Sequence, residues 1–388
     1  MPAQPARPST LGSGATDPLA FHRAAPPASK TARGRGEADN ASRPARHAVR
    51  RRRFARRQPD RTQLARRSVQ IAFLLLNVWI GARFYLFVRY FETAGRSVFV
   101  ARPPGVEGWL PIAALMNLKY FLLTGRIPDV HPAGLFLLVA FAAISFVFRK
   151  AFCSWLCPIG TVSEWLWQGG REIFARNLAL PCWLDIPLRG LKYLLLGLFL
   201  YAIGRMTAAD IRAFMDAPYG LIADVKMLDF FRALSSTVAL VLAVLVVCSI
   251  LMKNAWCRYL CPYGALMGLL ALASPARIRR NPDACIDCGK CAKACPSLLP
   301  VDSRITIKSA ECTNCLECVS ICPARGALDL VGPRRRAIPG WAVAAGVAIL
   351  FFGLFGCARL SGHWETKLPA HTYFELIPNA SEYGHPGY

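Results

Sequence analysis

Eight cysteines stand in two short runs between Asp283 and Pro323, and their spacing constrains this chain more than any other feature of its sequence. Each run has the pattern C-x2-C-x2-C-x3-C, and a proline follows the last cysteine; the first run holds Cys285, Cys288, Cys291 and Cys295, and the second holds Cys312, Cys315, Cys318 and Cys322. The alternatives are a disulfide framework and a zinc site, and a zinc site would combine two C-x2-C pairs. The third close cysteine and the proline therefore argue against both.

The two runs resemble the ligand loops of bacterial two-cluster 4Fe–4S ferredoxins. In such a protein three closely spaced cysteines wrap one [4Fe–4S] cube, and the fourth cysteine of the run ligates the other cube. We therefore expect one cluster on Cys285, Cys288, Cys291 and Cys322, and a second cluster on Cys312, Cys315, Cys318 and Cys295.

The rest of the chain has the composition of a membrane protein, with 54% hydrophobic and only 18% charged residues. A helix needs roughly 20 apolar residues to cross a bilayer. Five stretches approach that length: 69–91, 132–150, 190–206, 236–252 and 339–357. A sixth apolar stretch, 109–124, is interrupted by Pro111 and is expected to be interfacial or re-entrant. Arg83 lies within the first stretch, where a charge either faces a polar cavity or reaches toward the interface.

Basic residues predict the orientation of these spans. Outside the five stretches, 34 Lys and Arg residues fall on the side of residues 1–67, and 9 fall on the other side. The positive-inside rule then places the N-terminus and the cysteine-rich insert in the cytoplasm and the C-terminus in the periplasm of a bacterial inner membrane. Residues 1–67 are predicted to be a disordered basic tail. The arginines at the end of this tail are predicted to form a collar that touches anionic lipid rather than nucleic acid.

A second cysteine motif, C-x3-C-P, occurs twice at a constant offset of 104 residues. It contains Cys153 and Cys157 in the first copy and Cys257 and Cys261 in the second, and the apolar stretch before each copy keeps the same offset. Two copies running in the same direction predict repeats related by an axis along the membrane normal. Residues i and i+4 of a helix share a face, so four thiols could converge on one additional redox or metal centre. The alternatives are a reversible dithiol and simple packing at helix ends.

Together with the run NVWIGARFYLFVRYF, these motifs resemble the NapH/NosR-type polyferredoxin membrane proteins, including their short YccM-like members. The likeness covers about residues 68–388. It implies membrane electron transfer by a quinol dehydrogenase-type component, which passes electrons between quinol, or a cytoplasmic donor, and a redox partner protein. The alternative is a redox-sensing or metal-centre assembly protein of the membrane.

The sequence thus predicts an α-helical membrane protein with about five transmembrane helices and an inserted two-cluster ferredoxin domain of α+β type. The expected divisions are a tail over 1–67, a membrane domain over 68–270, the ferredoxin over 271–333, and a last helix with a periplasmic tail over 334–388. The expected cofactors are two [4Fe–4S] clusters, a third metal centre and quinone.

Overall fold

The computed structural model describes residues 61–385 of the 388, and most of them lie in helices. Two short strands, β1 (Arg277–Arg280) and β2 (Leu328–Val331), and two 3-10 helices, Pro104–Trp109 and Ala380–Glu382, complete the secondary structure of this part. The α-helices are α1 Thr62–Glu92, α2 Pro111–Thr124, α3 Pro132–Val147, α4 Ala151–Trp155, α5 Pro158–Phe174, α6 Cys182–Arg205, α7 Ala208–Asp216, α8 Pro218–Leu221, α9 Ala223–Arg232, α10 Ser236–Leu251, α11 Ala255–Tyr259, α12 Pro262–Leu272, α13 Lys290–Ala294, α14 Glu317–Ser320, α15 Gly340–Leu360 and α16 Ala370–Leu376.

Within residues 61–385, three helices are long and apolar enough to cross a membrane: Thr62–Glu92, Trp183–Arg205 and Gly340–Leu360. The pair α9 and α10 counts as a fourth if its 82° bend belongs to one broken span. The stretch predicted at 132–150 forms α3, whose 16 residues extend about 24 Å, short of a hydrocarbon core of about 30 Å. Helix α3 stops because the chain turns sharply at Arg149, which has a φ of 52°. The count of five spans therefore stays a prediction.

The internal repeat is visible in the helices themselves. Helices α3, α4 and α5 begin 104 residues before α10, α11 and α12, and the first two of each set have equal lengths. The packing is reciprocal, because α3 lies against α12 while α10 lies against α5. Each copy thus supports the helix that follows the cysteine motif of the other copy, and the two motifs come together.

The cysteine-rich insert is closed by an antiparallel pairing of β1 with β2, in the register Ile278 opposite Leu330. Its interior does not form a separate core. Ile278 and Leu330 belong to the same buried cluster as Trp155 of α4 and Val343 of α15. Because this apolar cluster is continuous, the insert is packed onto the helices rather than tethered beside them.

At the other end of α1, a smaller core gathers the aromatic residues of the predicted periplasmic side. Phe87 and Phe91 pack against Tyr373 of α16, with ring centroids 5.2 and 5.4 Å apart.

The predicted tail covers residues 1–67, and its residues 1–60 lie outside the part of the chain that the structure describes. Its last six residues, 62–67, are already helical, so the first span begins earlier than predicted.

Candidate iron–sulfur centres and a connecting cavity

The first ferredoxin site lies at the protein surface. One small cavity is lined by the thiols of the predicted first set, Cys285, Cys288, Cys291 and Cys322. Arg280 donates to the Cys285 sulfur at 3.4 Å and to Asp287 at 2.8 Å, which fixes the start of this loop. Cys288 is exposed, so this site has contact with solvent.

The second site is buried. A separate small cavity is lined by Cys295, Cys312, Cys315 and Cys318. Burial raises the pKa of the Cys315 and Cys318 thiols, and neighbouring thiols of this set add to the shift. In both cavities the fourth cysteine comes from the other run, which is the crossed grouping expected from the spacing. That these sets ligate clusters stays a prediction.

The C-x3-C-P motifs form a third group, which we call the four-cysteine unit: Cys153, Cys157, Cys257 and Cys261. Cys157 and Cys261 lie two residues after the ends of the short helices α4 and α11, directly before the prolines that begin α5 and α12. All four thiols line one cavity. Burial raises the pKa of Cys157 to about 11, and the pKa of Cys257 is raised by burial and by the other three thiols. The fold has therefore brought the two motifs into one buried site.

The spacing of these thiols decides what kind of group could fit. Among residues 61–385, no three His, Cys, Asp or Glu side chains are gathered tightly enough to hold a single metal ion. Four thiolates on one zinc ion would stand about 3.8 Å apart, as follows from the zinc–sulfur distance. In an iron–sulfur cube each thiolate ligates a different corner, so the sulfurs stand farther apart. The thiols of all three groups are free, with no disulfide among them. The three sets therefore lack the close spacing of a single-ion site, and iron–sulfur clusters at these positions stay a prediction.

Hydrogen bonds from side chains to backbone carbonyls hold the second ferredoxin loop against the first C-x3-C-P motif. The Trp155 indole donates to the Asn314 carbonyl at 3.2 Å, and Ser154 donates to the Thr313 carbonyl. In return, the Asn314 amide donates to the carbonyl of Phe148 at 2.9 Å. Since Cys315 follows Asn314 directly, the buried ferredoxin site lies beside the four-cysteine unit.

A single cavity of about 730 Å³ connects this region with the far end of the helices. Its inner end is lined by the four-cysteine unit and by Cys315, and its middle by phenylalanines of α1, α3 and α15, namely Phe73, Phe141 and Phe351. Arg83 and Arg102 line its outer end. Of the two roles considered for Arg83, the structure thus supports the one facing a cavity, with the guanidinium 5.1 Å from the Trp79 ring centre.

Behind Arg102 lies a buried charge network that the cavity does not reach. Arg102 pairs with Glu107 and Asp224 at 2.8 Å each, and its guanidinium lies 3.2 Å from His131. Burial opposes the charge of Glu107, but Arg102 outweighs it and lowers the pKa of Glu107 to about 2. Glu107 and His131 are fully buried. Glu107 accepts from the backbone amide of Gly134 in α3 at 2.9 Å, and a ring nitrogen of His131 lies 2.9 Å from the Gly220 carbonyl of α8, so the two residues support the cavity wall from behind.

Arg66 was expected in a lipid-facing collar, and this expectation is wrong. It is fully buried and binds both oxygens of Glu164 at 2.7 Å, with a further contact of 2.9 Å to Glu317 in the ferredoxin. The neighbouring Gln63 donates to the Cys315 carbonyl at 3.0 Å. The beginning of α1 therefore anchors the ferredoxin instead of the bilayer surface.

Replacing Arg66 with methionine should lower the free energy of unfolding by about 3–5 kcal/mol, because it leaves the carboxylate of Glu164 without its ion pair at a buried position and also removes the ion pair of Glu317. Thermal unfolding in detergent micelles, followed by tryptophan fluorescence, measures this. Arg67→Met is the matched control, since Arg67 is exposed. Equal melting temperatures for the two variants would contradict the anchoring role.

Comparison with known proteins agrees with this architecture. A model described as a 4Fe–4S binding domain matches residues 130–181 and 236–281, the two copies of the repeat. A 4Fe–4S dicluster domain model matches residues 277–323. YccM of Escherichia coli K12, named as an electron transport protein, is 49% identical over 82% of this chain and 91% of its own length. The chain belongs to the NapH/NosR-type polyferredoxin family.

Other relatives of this polyferredoxin share smaller parts. The regulatory protein NosR of Pseudomonas aeruginosa is 33% identical over 42% of this chain and 22% of its own length. The ferredoxin-type protein NapH of Escherichia coli K12 is 26% identical over 45% of this chain and 57% of its own length. No solved structure matches the chain.

The two matching 4Fe–4S domain models and the likeness to YccM show that this polyferredoxin is a membrane iron–sulfur protein of electron transfer.

Two buried lysines beside the four-cysteine unit were missed from the sequence. Lys150 lies three residues before Cys153, and Lys192 lies within α6, far from any cysteine motif. Both are almost completely buried. A comparison of the two repeats could have singled out Lys150, because the second repeat has Asn254 at the equivalent position. No pattern in the sequence pointed to Lys192.

Proposed function

We propose that this polyferredoxin transfers electrons between quinol in the membrane and a redox partner protein in the cytoplasm. The observation that carries this proposal is the cavity of about 730 Å³, which is lined by apolar residues of the membrane helices and also by the four-cysteine unit and Cys315. A molecule bound there would lie within reach of both the lipid phase and the buried ferredoxin site.

The order of the sites supports a path through the chain. The four-cysteine unit would hold a third iron–sulfur centre, between the cavity and the buried set of Cys312, Cys315, Cys318 and Cys295. The set with the exposed Cys288 would then exchange electrons with the partner at the surface. Bound clusters would supply one-electron chemistry, while the protein fixes their positions and excludes water from the two inner sites.

The cavity lining suits a quinone. Phe73, Phe141 and Phe351 provide an apolar wall for a ring and its hydrocarbon tail, and ligand sites of this kind add a few polar groups that orient the ligand. Arg83 and Arg102 are such groups at the outer end. Arg102 already has acidic partners, so Arg83 is the better candidate to bind a quinone oxygen.

The test is the reduction of the clusters by a soluble quinol analogue, followed by EPR on the purified protein. Arg83→Met should slow this reduction about tenfold, the effect of losing one charged hydrogen bond of about 1.5 kcal/mol. Arg89→Met is the control, because Arg89 belongs to the same helix but does not line the cavity. If dithionite reduces the wild-type clusters and the quinol analogue does not, the quinol proposal fails and redox sensing is favoured.

We also propose the orientation expected from the basic residues, with the ferredoxin in the cytoplasm and the C-terminus in the periplasm of the inner membrane. Alkaline phosphatase fused after residue 388 should be active in a bacterial host, since the enzyme requires export. A fusion of green fluorescent protein at the same position should be dark. Bright fluorescence with an inactive phosphatase would show that the number of spans is even.

A further inference from the structure

Lys150 is a buried ammonium group without a partner. Its exposed fraction is 3%, and it lines the cavity beside the four-cysteine unit. In the part of the chain that the structure describes, no side chain or carbonyl forms a hydrogen bond or ion pair with its Nζ atom. A buried cation is normally paired, because the loss of its hydration must be offset.

The acidic group near Lys150, Glu311, already binds a second lysine. Lys192 binds both carboxylate oxygens of Glu311 at 2.6 Å, and the Tyr193 hydroxyl donates to the same carboxylate at 3.2 Å. Glu311 also attracts Lys150, but the single negative charge of one carboxylate cannot balance two ammonium groups. Lys150 therefore remains as one excess positive charge in this region.

Besides Glu311, the groups that face this excess charge are the thiols of Cys153, Cys257 and Cys261. Neutral thiols are weak hydrogen-bonding groups and cannot balance a cation. Thiolates that ligate iron carry negative charge, and a cluster held by four of them is an anion in each common oxidation state. The positive charge of Lys150 is thus balanced only when the four-cysteine unit holds such an anionic cluster.

We propose that Lys150 is a positioning residue that balances the negative charge of an iron–sulfur cluster in the four-cysteine unit and raises its reduction potential. This inference rests on the proposed function, in which the unit holds the third centre. Reduction would add one electron, taken from the neighbouring ferredoxin cluster or from a quinol, which gives up two electrons in turn and releases its two hydroxyl protons. Lys150 would keep its own proton throughout. A fixed positive charge favours the more negative, reduced form, so it shifts the potential upward.

The internal repeat provides a natural comparison. At the equivalent position, 104 residues later, the second copy has Asn254, which also lines the cavity. The turn between the span and the motif can therefore be built without a lysine. The lysine occurs in only one of the two copies of the repeat. This is expected if its charge is needed for function rather than for folding of the turn.

The experiment is an EPR-monitored redox titration of the full-length protein in detergent. Lys150→Gln should shift the midpoint potential of the third centre to a lower value, and Lys150→Arg, which keeps the charge, should stay close to wild type. The potential of the exposed ferredoxin cluster should change less in both variants. Lys308→Gln is the control, since Lys308 lies on the ferredoxin surface and its charge is screened by solvent.

The outcomes separate this inference from the function on which it rests. A wild-type protein without a third centre overturns both. A third centre with the same potential in wild type and Lys150→Gln overturns the role of Lys150 alone. If Lys150→Gln does not accumulate, the exchange Lys150→Asn with Asn254→Lys takes its place, because it moves the charge to the equivalent position. A potential near that of wild type then supports the proposal, and a lowered potential or an absent centre overturns it.

Discussion

Cys153→Ser combined with Cys257→Ser should reduce electron transfer between quinol and the ferredoxin to background while leaving the two ferredoxin clusters in place. These cysteines come from different copies of the repeat, and the reciprocal packing of α3 on α12 and α10 on α5 brings them into one cavity. Serine removes two of the four thiolates, and a cluster with half of its ligands has little affinity for the site. The path from the cavity to the ferredoxin would then lack its middle step.

The measurement combines iron content, EPR of the dithionite-reduced protein and the rate of cluster reduction by a quinol analogue. Cys357→Ser is the matched control, because Cys357 is exposed on α15 and does not line the cavity. Protein levels should be equal in all samples. Wild-type rates in the double variant would reduce the C-x3-C-P motifs to packing at helix ends.

A second expected result concerns the crossed fourth ligands of the ferredoxin. Cys322→Ser should remove the cluster otherwise held by Cys285, Cys288 and Cys291, because Cys322 lines that cavity although it belongs to the other run. Cys295→Ser should remove the buried cluster of Cys312, Cys315 and Cys318 for the same reason. Each variant should lose about half of the ferredoxin iron.

The two losses differ in a way that can be observed. The exposed cluster contacts solvent and the buried one does not, so the two should differ in potential and EPR relaxation. The signal remaining in Cys322→Ser should therefore match the one missing in Cys295→Ser. If each variant instead loses the cluster of its own run, the ligands are not crossed.

The cysteine spacing was sufficient to predict the grouping of the thiols. In the two-cluster ferredoxins that these runs resemble, the fourth cysteine of each run ligates the other cluster. The two small cavities are lined by these same groups, and their ligation of clusters stays a prediction. The offset of 104 residues similarly predicted a repeat, because equal distances between equal motifs are rare by chance. Both predictions rest on short sequence patterns that can be identified without knowledge of the neighbouring elements.

The membrane helices were predicted less well. Hydropathy identified where apolar helices lie but not where they end, because α3 stops at a turn that Arg149 makes with a positive φ. The bend between α9 and α10 was likewise invisible to a scale that counts only apolar residues. Helix ends depend on caps and turns that the average composition of a stretch does not contain.

Sequence alone therefore determined the iron–sulfur class of this protein, its membrane location and the residues that could ligate clusters, since all three follow from short patterns of cysteine and apolar residues. Only the tertiary structure decided that Arg66 holds the ferredoxin and that Lys150 faces the four thiols. Only the fold revealed the cavity that reaches from Arg83 to Cys315. A buried charge is identified by what surrounds it, and its surroundings come from segments up to 251 residues away in the chain, as with Arg66 and Glu317.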